Sequence, residues 1–180
     1  LISLLDIAMH DGVDTKTGYK FAEPPRPFAE CKNMDEVFEN YITQLRYFMD
    51  LQPQCEYIND EIHCEMDINA FRSSLVADCI GRGLDLVEGG SIYSVDGGPT
   101  AGSISTGDAL AGIEYAVFDE KILTMDELLH ACNTNFEDMT TTPNGPQIRA
   151  MLQSKAPKYG NDDDTADKWT VAVEEYIGKT

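Results

Sequence analysis

Positive charge is scarce in this sequence: 13 lysines and arginines stand against 32 aspartates and glutamates, a formal net charge of −19 over 180 residues. So many uncompensated carboxylates would repel a nucleic-acid backbone or an anionic membrane surface, which excludes both as expected partners. The sequence also lacks a hydrophobic run long enough to cross a bilayer, and no basic, apolar leader opens it. We therefore expect a cytoplasmic protein.

Three motif-like stretches lack a residue that their chemistry requires. The stretch GGPTAGSIST has the glycine spacing of a phosphate-binding loop, but Ser103 stands where the loop needs a lysine. His63, Cys64 and Glu65 are adjacent, so they point in different directions on a helix, and no second cluster completes a tetrahedral metal site. The acidic stretch 161–164 lacks the turn glycine of a calcium loop. These absences predict that the chain binds neither a nucleotide nor a metal.

A disulfide framework is lacking as well. The cysteines are odd in number and irregularly spaced, which favours reduced thiols over paired ones. They are Cys31, Cys55, Cys64, Cys79 and Cys132.

Glycine is concentrated in one segment, residues 88–108, which read EGGSIYSVDGGPTAGSISTGD. The apolar pairs at 86–87 and 92–93 predict a short strand that leads into a loop. Ser105 with Asp108 has the spacing of a capping box, which predicts that a helix begins there. We name residues 88–102 the glycine-rich segment.

The rest of the pattern is helical. Asn33 with Glu36 has capping-box spacing, and apolar residues then repeat at helical intervals until Pro53, where the helix is expected to end or kink. Thr124 with Glu127 predicts a second capped helix. Further helices are predicted over 1–10, 73–83 and 105–119, and after the acidic residues that follow Asn161.

The balance of elements indicates an incomplete fold. At least six helices against one or two strands leave too few strands for a closed sheet. The apolar helical pattern is already in progress at Leu1, and it reaches Thr180 without a capping residue. We therefore expect residues 1–180 to be a slice of a larger α/β domain.

Four blocks carry a resemblance to a known family: CIGRGLDLVEGGSIYS, GDALAGIEYAVFDEK, LLHACNTNFEDM and APKYGNDDDTAD. In this order they resemble the glycyl radical enzymes, the pyruvate formate-lyase-like family, over essentially the whole chain. The resemblance implies a predominantly helical slice of a ten-stranded α/β barrel, with residues 1–180 as part of the barrel domain. It also implies thiyl radical chemistry, driven by a protein glycyl radical that a radical S-adenosylmethionine activase installs.

The radical-bearing motifs of that family do not occur in this chain. No cysteine stands in a GCxE-like setting, and no RVAGY-like glycine motif is present. What the chain is expected to supply is part of the substrate pocket, because backbone with little side chain can approach a substrate closely. Tight turns at a barrel rim are the alternative interpretation of these glycines. The candidate substrate-binding residues are Ser94, Gly97, Gly98, Pro99 and Thr100.

Within the family, the sequences SIYSVDGGPTAG and NFEDMTTTPNGP are most similar to those of the arylacetate decarboxylases that act on 4-hydroxyphenylacetate. In those enzymes a histidine and a glutamate help to handle the phenol and carboxyl groups. The resemblance therefore makes His10 a candidate proton relay and Glu88 a candidate carboxylate partner. The alternative for His10 is a helix C-terminal histidine that the helix dipole stabilises.

Other functions stay open. The chain could belong to a formate C-acetyltransferase, a choline trimethylamine-lyase or a glycerol or diol dehydratase, or to a truncated, catalytically dead paralogue. No cofactor is expected to bind this chain itself. The resemblance implies as partners a small-molecule substrate, the activase and the rest of the barrel. In the decarboxylase branch it adds a small iron–sulfur subunit, and the full-length protein is expected to be a homo-oligomer.

Overall fold

The computed structural model describes residues 1–93, 100–162 and 164–179. Over these residues the chain is mostly helical, and its one β-feature is an isolated antiparallel bridge between Val13 and Lys20. The helices are α1 (Ile2–Met9), α2 (Met34–Met66), α3 (Ala70–Ser74), α4 (Cys79–Arg82), α5 (Ser103–Ile113), α6 (Met125–Asn133), α7 (Gly145–Lys155) and α8 (Asp164–Lys179), with a 3₁₀ turn at Phe28–Glu30 and a π-helical segment at Glu114–Asp119. The predicted helical character is confirmed.

The chain forms two compact units. One comprises Leu1–Tyr47 with Thr100–Thr180, and the other comprises Phe48–Pro99. We call them the first and the second unit. No helix among the described residues combines the length and the apolar character that crossing a membrane requires. All five cysteines are free thiols.

The first unit is organised around the crossing of α5 and α8. Gly107 on α5 packs so closely on Thr170 that an added Cβ would collide with the threonine Oγ1 and lie 2.9 Å from its backbone nitrogen. Leu110 on α5 and Val173 on α8 are fully buried beside this crossing, so the bare glycine lets two apolar helix faces meet.

Polar side chains of α2 hold the proline-rich loop that precedes it. Gln44 is fully buried, and its amide donates to the Ala22 carbonyl at 2.8 Å while it accepts from the Ala22 N–H at 3.3 Å. Asn40, also fully buried, donates to the Arg26 carbonyl at 2.9 Å. These bonds satisfy backbone groups of a segment that has no secondary structure to satisfy them.

The helix α5 continues into the π-helical segment without a break. Inside it the Glu120 N–H donates to the Tyr115 carbonyl, five residues earlier, at 3.0 Å. Glu114 opens the segment, and its carboxylate accepts from the Trp169 indole Nε1 at 2.7 Å and pairs with Lys168 Nζ at 2.7 Å. The pattern over 105–119 predicted a helix there but not this change of winding.

The strand predicted around 86–93 is wrong. Asp85 is buried, and its carboxylate accepts from the N–H groups of Asn69 at 3.0 Å and Val87 at 3.2 Å, while the Leu86 N–H donates to Ser73 Oγ at 2.9 Å. Side chains therefore satisfy the donors that a strand partner would have taken, and residues 86–89 form turns.

Several predicted helix boundaries also change. No side chain caps α5, which begins after Gly102 in the left-handed conformation, so the capping box at Ser105 and Asp108 is wrong. The helix α2 continues through the exposed Pro53 to Met66. The helix predicted over 73–83 is divided into α3 and α4, although α4 does close on a left-handed Gly83, as expected.

Candidate functional site

The start of the glycine-rich segment is tied to α4 by Arg82. The guanidinium Nη1 of Arg82 donates to three successive carbonyls, those of Gly89 at 2.8 Å, Gly90 at 3.2 Å and Ser91 at 3.1 Å. Hydrogen bonds from a charged donor are stronger than neutral ones. The backbone of residues 89–91 therefore curves around the guanidinium of Arg82 at the end of α4.

Three of the glycines in this segment are required by the local backbone. An added Cβ on Gly90 would collide with the Leu84 carbonyl oxygen and lie 2.7 Å from that of Asp85 and 2.9 Å from Cys79 Sγ. Gly89 adopts φ +75°, in the left-handed region that favours glycine. Both positions thus fit the turn-forming interpretation, and Gly102, at φ +87°, fits it as well.

Glu88 belongs to the second unit and serves a turn there. It is exposed, and its Oε2 accepts from the Asp85 N–H at 2.8 Å. Two residues beyond Gly89 the Ser91 hydroxyl donates to the Tyr93 carbonyl at 3.1 Å, and the Tyr93 side chain stands 89% exposed. The Glu88 carboxylate therefore binds a backbone N–H group, while the ring of Tyr93, the residue before Ser94 in the sequence, is exposed to solvent.

The predicted pocket wall itself falls largely outside the described residues. Ser94, Gly97, Gly98 and Pro99 lie in the range 94–99, which the structure does not describe. Thr100 is described and exposed, and it belongs to the first unit. The substrate role of these five residues stays a prediction.

His10 follows the last residue of α1, and both of its ring nitrogens are engaged within the first unit. Nδ1 lies 2.7 Å from the Asp6 carbonyl oxygen and Nε2 lies 2.5 Å from Asn133 Oδ1. Burial lowers the pKa of His10, but the bonds to Asn133 and Asp6 and the carboxylates of Asp6 and Asp11 outweigh it, so the pKa is raised above its usual 6.5. Two acceptors around the ring favour the imidazolium form, as the helix-end alternative for His10 implies.

An apolar cavity of about 370 Å³ lies in the first unit, beside α1, α5, α6 and α7. Its lining residues include Leu5, Met9, Leu128 and Leu152, together with the exposed Arg149. Cys132 also lines it, and burial, with a smaller effect of the Asp6 carboxylate, raises the pKa of this thiol to about 11. A thiol with that pKa is a poor nucleophile near neutral pH.

A second cavity, of about 430 Å³, lies between α6 and α7 and contains a histidine and an aspartate in contact. His130 Nε2 lies 2.7 Å from Asp138 Oδ2, and Asp138 Oδ1 accepts from the Thr140 N–H at 2.8 Å and hydroxyl at 2.7 Å. The bond to His130, followed by those to Thr140, lowers the pKa of Asp138 to about 2. The carboxylate is therefore ionised throughout the neutral range.

Arg82 and the pair of His130 with Asp138 were not predicted from the sequence. Arg82 lies in the last turn of α4, where a basic side chain usually bonds the last carbonyls of its own helix, so the sequence does not indicate its contact with residues 89–91. His130 and Asp138 are eight residues apart across a helix end, and no spacing rule marks them. Over the described part of the chain, no group of three histidine, cysteine or acidic residues is arranged to hold a metal.

Comparison with known proteins identifies the family. A family profile described as "Pyruvate formate lyase-like" matches residues 1–180. The chain is 32% identical over 169 residues to trans-4-hydroxy-L-proline dehydratase of Clostridioides difficile, covering 92% of this chain and 20% of that protein. It is 28% identical over 194 residues to the 4-hydroxyphenylacetate decarboxylase glycyl radical subunit of Clostridium scatologenes, covering 97% of this chain and 21% of that one.

A solved structure shows the same relationship. The hydroxyproline dehydratase of Clostridioides difficile, crystallised with trans-4-hydroxy-L-proline bound, superimposes with a TM-score of 0.82 at 29% identity over 96% of this chain and 21% of that one. The chain thus spans about a fifth of the length of the relatives that it matches. With a family profile that covers every residue, this chain belongs to the pyruvate formate lyase-like family, the glycyl radical enzymes.

Proposed function

We propose that the chain forms part of a glycyl radical lyase that removes water from a small hydroxylated molecule. The observation that carries this proposal is the similarity, in sequence and in structure, to an enzyme named for the dehydration of trans-4-hydroxy-L-proline. Because the chain spans about a fifth of that enzyme, the reaction is proposed for a longer polypeptide that carries these residues. The ten-stranded barrel implied by the family is part of the same proposal.

In that enzyme the glycine-rich segment would supply part of the substrate pocket. Radical chemistry requires a closely fitted cavity that excludes water, and groups held rigidly in place bind with less loss of entropy. The hydrogen bonds of Arg82 to residues 89–91 support this role, because they fix the backbone at the start of the segment. A positive φ at Gly89 and Gly102 and close packing at Gly90 already favour glycine at these positions. We therefore propose that Gly97 and Gly98 are the glycines that approach the substrate closely.

Decarboxylation of an arylacetate is the second candidate, supported by the similarity to a 4-hydroxyphenylacetate decarboxylase subunit. A decarboxylase benefits from a group that titrates near neutral pH and delivers a proton, so His10 keeps its candidate role. Its bonds to Asn133 and Asp6 would hold the ring in one orientation. Glu88 is the less suitable candidate, because its carboxylate already accepts from Asp85.

The proposed partners follow from the family. They are a small-molecule substrate and the radical S-adenosylmethionine activase, with a homo-oligomeric arrangement of the full-length protein. A relative named a "glycyl radical subunit" supports a small second subunit for the decarboxylase alternative. Five free thiols favour a reducing compartment, so we place the protein in the cytoplasm.

The test is activation of the full-length polypeptide under strict anaerobiosis. A glycyl radical signal in electron paramagnetic resonance is expected first, followed by turnover of trans-4-hydroxy-L-proline, glycerol or 1,2-propanediol. Release of p-cresol from 4-hydroxyphenylacetate would favour the decarboxylase alternative instead. A protein that forms no glycyl radical with a competent activase would be the catalytically dead paralogue.

A further inference from the structure

We propose that Arg82 is a positioning residue that fixes the backbone of residues 89–91, at the start of the glycine-rich segment, and thereby sets how tightly substrate binds. This inference rests on the proposed function, in which that segment forms part of the substrate pocket. Arg82 has no assigned role in that reaction, and it would act through residues 89–91 without touching the substrate.

The contacts of Arg82 have a particular geometry. Three carbonyls from consecutive residues converge on one guanidinium nitrogen at 2.8 to 3.2 Å. Carbonyl dipoles that point at a common centre repel one another unless a cation lies there. Gly90 and Ser91 are buried although Arg82 is exposed, and without the guanidinium their carbonyls would lose their charged partner.

The segment is held from a second side as well. Gly90 packs against the backbone of Leu84 and Asp85 and against Cys79 Sγ at the beginning of α4. The N–H groups of Gly89 and Gly90 donate to the carbonyls of Leu86 at 3.1 Å and Asp85 at 2.9 Å. Residues 89–91 are thus enclosed between a turn and the arginine, which fixes the direction in which the chain leaves Ser91.

A lysine elsewhere in the chain indicates what the position requires. Lys158 Nζ donates to the carbonyls of Leu152 at 3.0 Å, Ala156 at 3.3 Å and Pro157 at 3.4 Å. An ammonium group therefore suffices to hold three converging carbonyls. We expect Arg82→Lys to keep most of the function, whereas Arg82→Met keeps a stem of similar length but provides neither charge nor donor.

The direct test is hydrogen exchange of the full-length polypeptide that carries this chain. In Arg82→Met we expect the amides of Gly89 and Gly90 to exchange about tenfold faster or more, with near wild-type rates in Arg82→Lys. The matched control is Arg72→Met, which removes another arginine of the second unit, one that pairs with Asp67 at 3.4 Å. Wild-type exchange in Arg82→Met, or equal acceleration in Arg72→Met, would overturn the positioning role.

The activity test uses whichever of trans-4-hydroxy-L-proline, glycerol and 4-hydroxyphenylacetate the wild type converts. Arg82→Met should raise KM about tenfold or more while kcat and the glycyl radical yield stay within about twofold, and Arg82→Lys should restore KM. An unchanged KM in Arg82→Met contradicts the proposal. A wild type without a glycyl radical counts against the proposed function alone, because hydrogen exchange still decides the role of Arg82.

Discussion

Gly107 and Thr170 face each other across the crossing of α5 and α8 without room for a side-chain carbon between them. A Cβ on Gly107 would collide with Thr170 Oγ1 and lie 2.9 Å from the Thr170 nitrogen and 3.0 Å from its Cα. Two of these three neighbours are backbone atoms, which cannot turn aside as the end of a flexible side chain can. The separation of the two helices is therefore set at this point.

Gly107→Ala should lower the free energy of unfolding by about 1 to 3 kcal/mol, because the new methyl group forces α5 and α8 apart. The control is Gly112→Ala on the same helix, where the nearest atom, Leu152 Cδ2, lies at 3.8 Å. That variant should gain up to about 1 kcal/mol from the helix propensity of alanine. Urea unfolding measures both values, and equal stability of the two variants would disprove the tight crossing.

Asp138 should contribute to stability in a defined pH range. Its folded pKa of about 2 lies below the usual 3.8, so the contribution is present above pH 3.8 and is lost as the pH falls through about 2. Asp138→Asn should therefore flatten the decline of stability between about pH 4 and pH 2. The melting temperature measured across this range tests it, and an unchanged acid limb in the variant would contradict the His130 and Thr140 bonds.

The contribution of His10 to stability depends on pH in the opposite direction. Its folded pKa is raised above 6.5, so its contribution to stability is complete below pH 6.5 and is lost as the pH rises through the folded value. His10→Gln should remove that loss of stability. The shift of the imidazole carbon proton in an NMR titration measures the pKa directly, and a value below 6.5 would show that burial dominates.

The catalytic role of His10 predicts a separate result in the full-length enzyme. If His10 relays a proton, His10→Gln should lower turnover by about 10- to 10⁴-fold, because glutamine forms hydrogen bonds but does not titrate. Asn133→Ala serves as the comparison, because it removes a hydrogen-bond partner of the ring and leaves the titrating group in place. Full activity of His10→Gln would leave the histidine with its helix-end role only.

The thiols should differ in reactivity. Burial raises the pKa of Cys31 to about 11 although the Arg26 guanidinium opposes it, and burial raises the pKa of Cys132 to the same value. Cys55 is exposed. At pH 7.5 we expect iodoacetamide to modify Cys55 at least about tenfold faster than Cys31 or Cys132. Mass spectrometry of timed samples gives the rates, and early modification of Cys132 would contradict its burial.

Helix starts that are stabilised by capping side chains could be predicted from the sequence. Thr124 with Glu127 forms a complete capping box before α6, as predicted. Asn33 accepts from the Glu36 N–H at 3.0 Å, although the Glu36 carboxylate bonds to the Lys32 N–H in place of that of Asn33. Asn144 with Gln147 forms another capping box, before α7, which was not predicted although the two residues have the required spacing.

Contacts of side chains with backbone groups elsewhere in the chain could not be predicted from the sequence. The apolar pairs at 86–87 and 92–93 have strand propensity, but Ser73 and Asp85 satisfy the local backbone, and no pattern rule predicts that contact. The carbonyls gathered by Arg82 are likewise main-chain groups, which carry no sequence signal of their own. The family resemblance, by contrast, depended on four separated blocks in order, and the profile match confirms it.

The π-helical segment affects how insertions and deletions in relatives should be interpreted. A π turn accommodates one residue more than an α turn of the same height, so a homologue that lacks one residue between Tyr115 and Phe118 would continue as regular α-helix, with no loop altered. Because the wide turn absorbs the extra residue, the helical residues on both sides of that deletion would keep the direction in which they face. Glu114, which precedes the deletion and continues from α5, would still face Trp169 and Lys168. A one-residue gap in an alignment of this region therefore signals a change of helix winding, with the polar contacts of Glu114 retained.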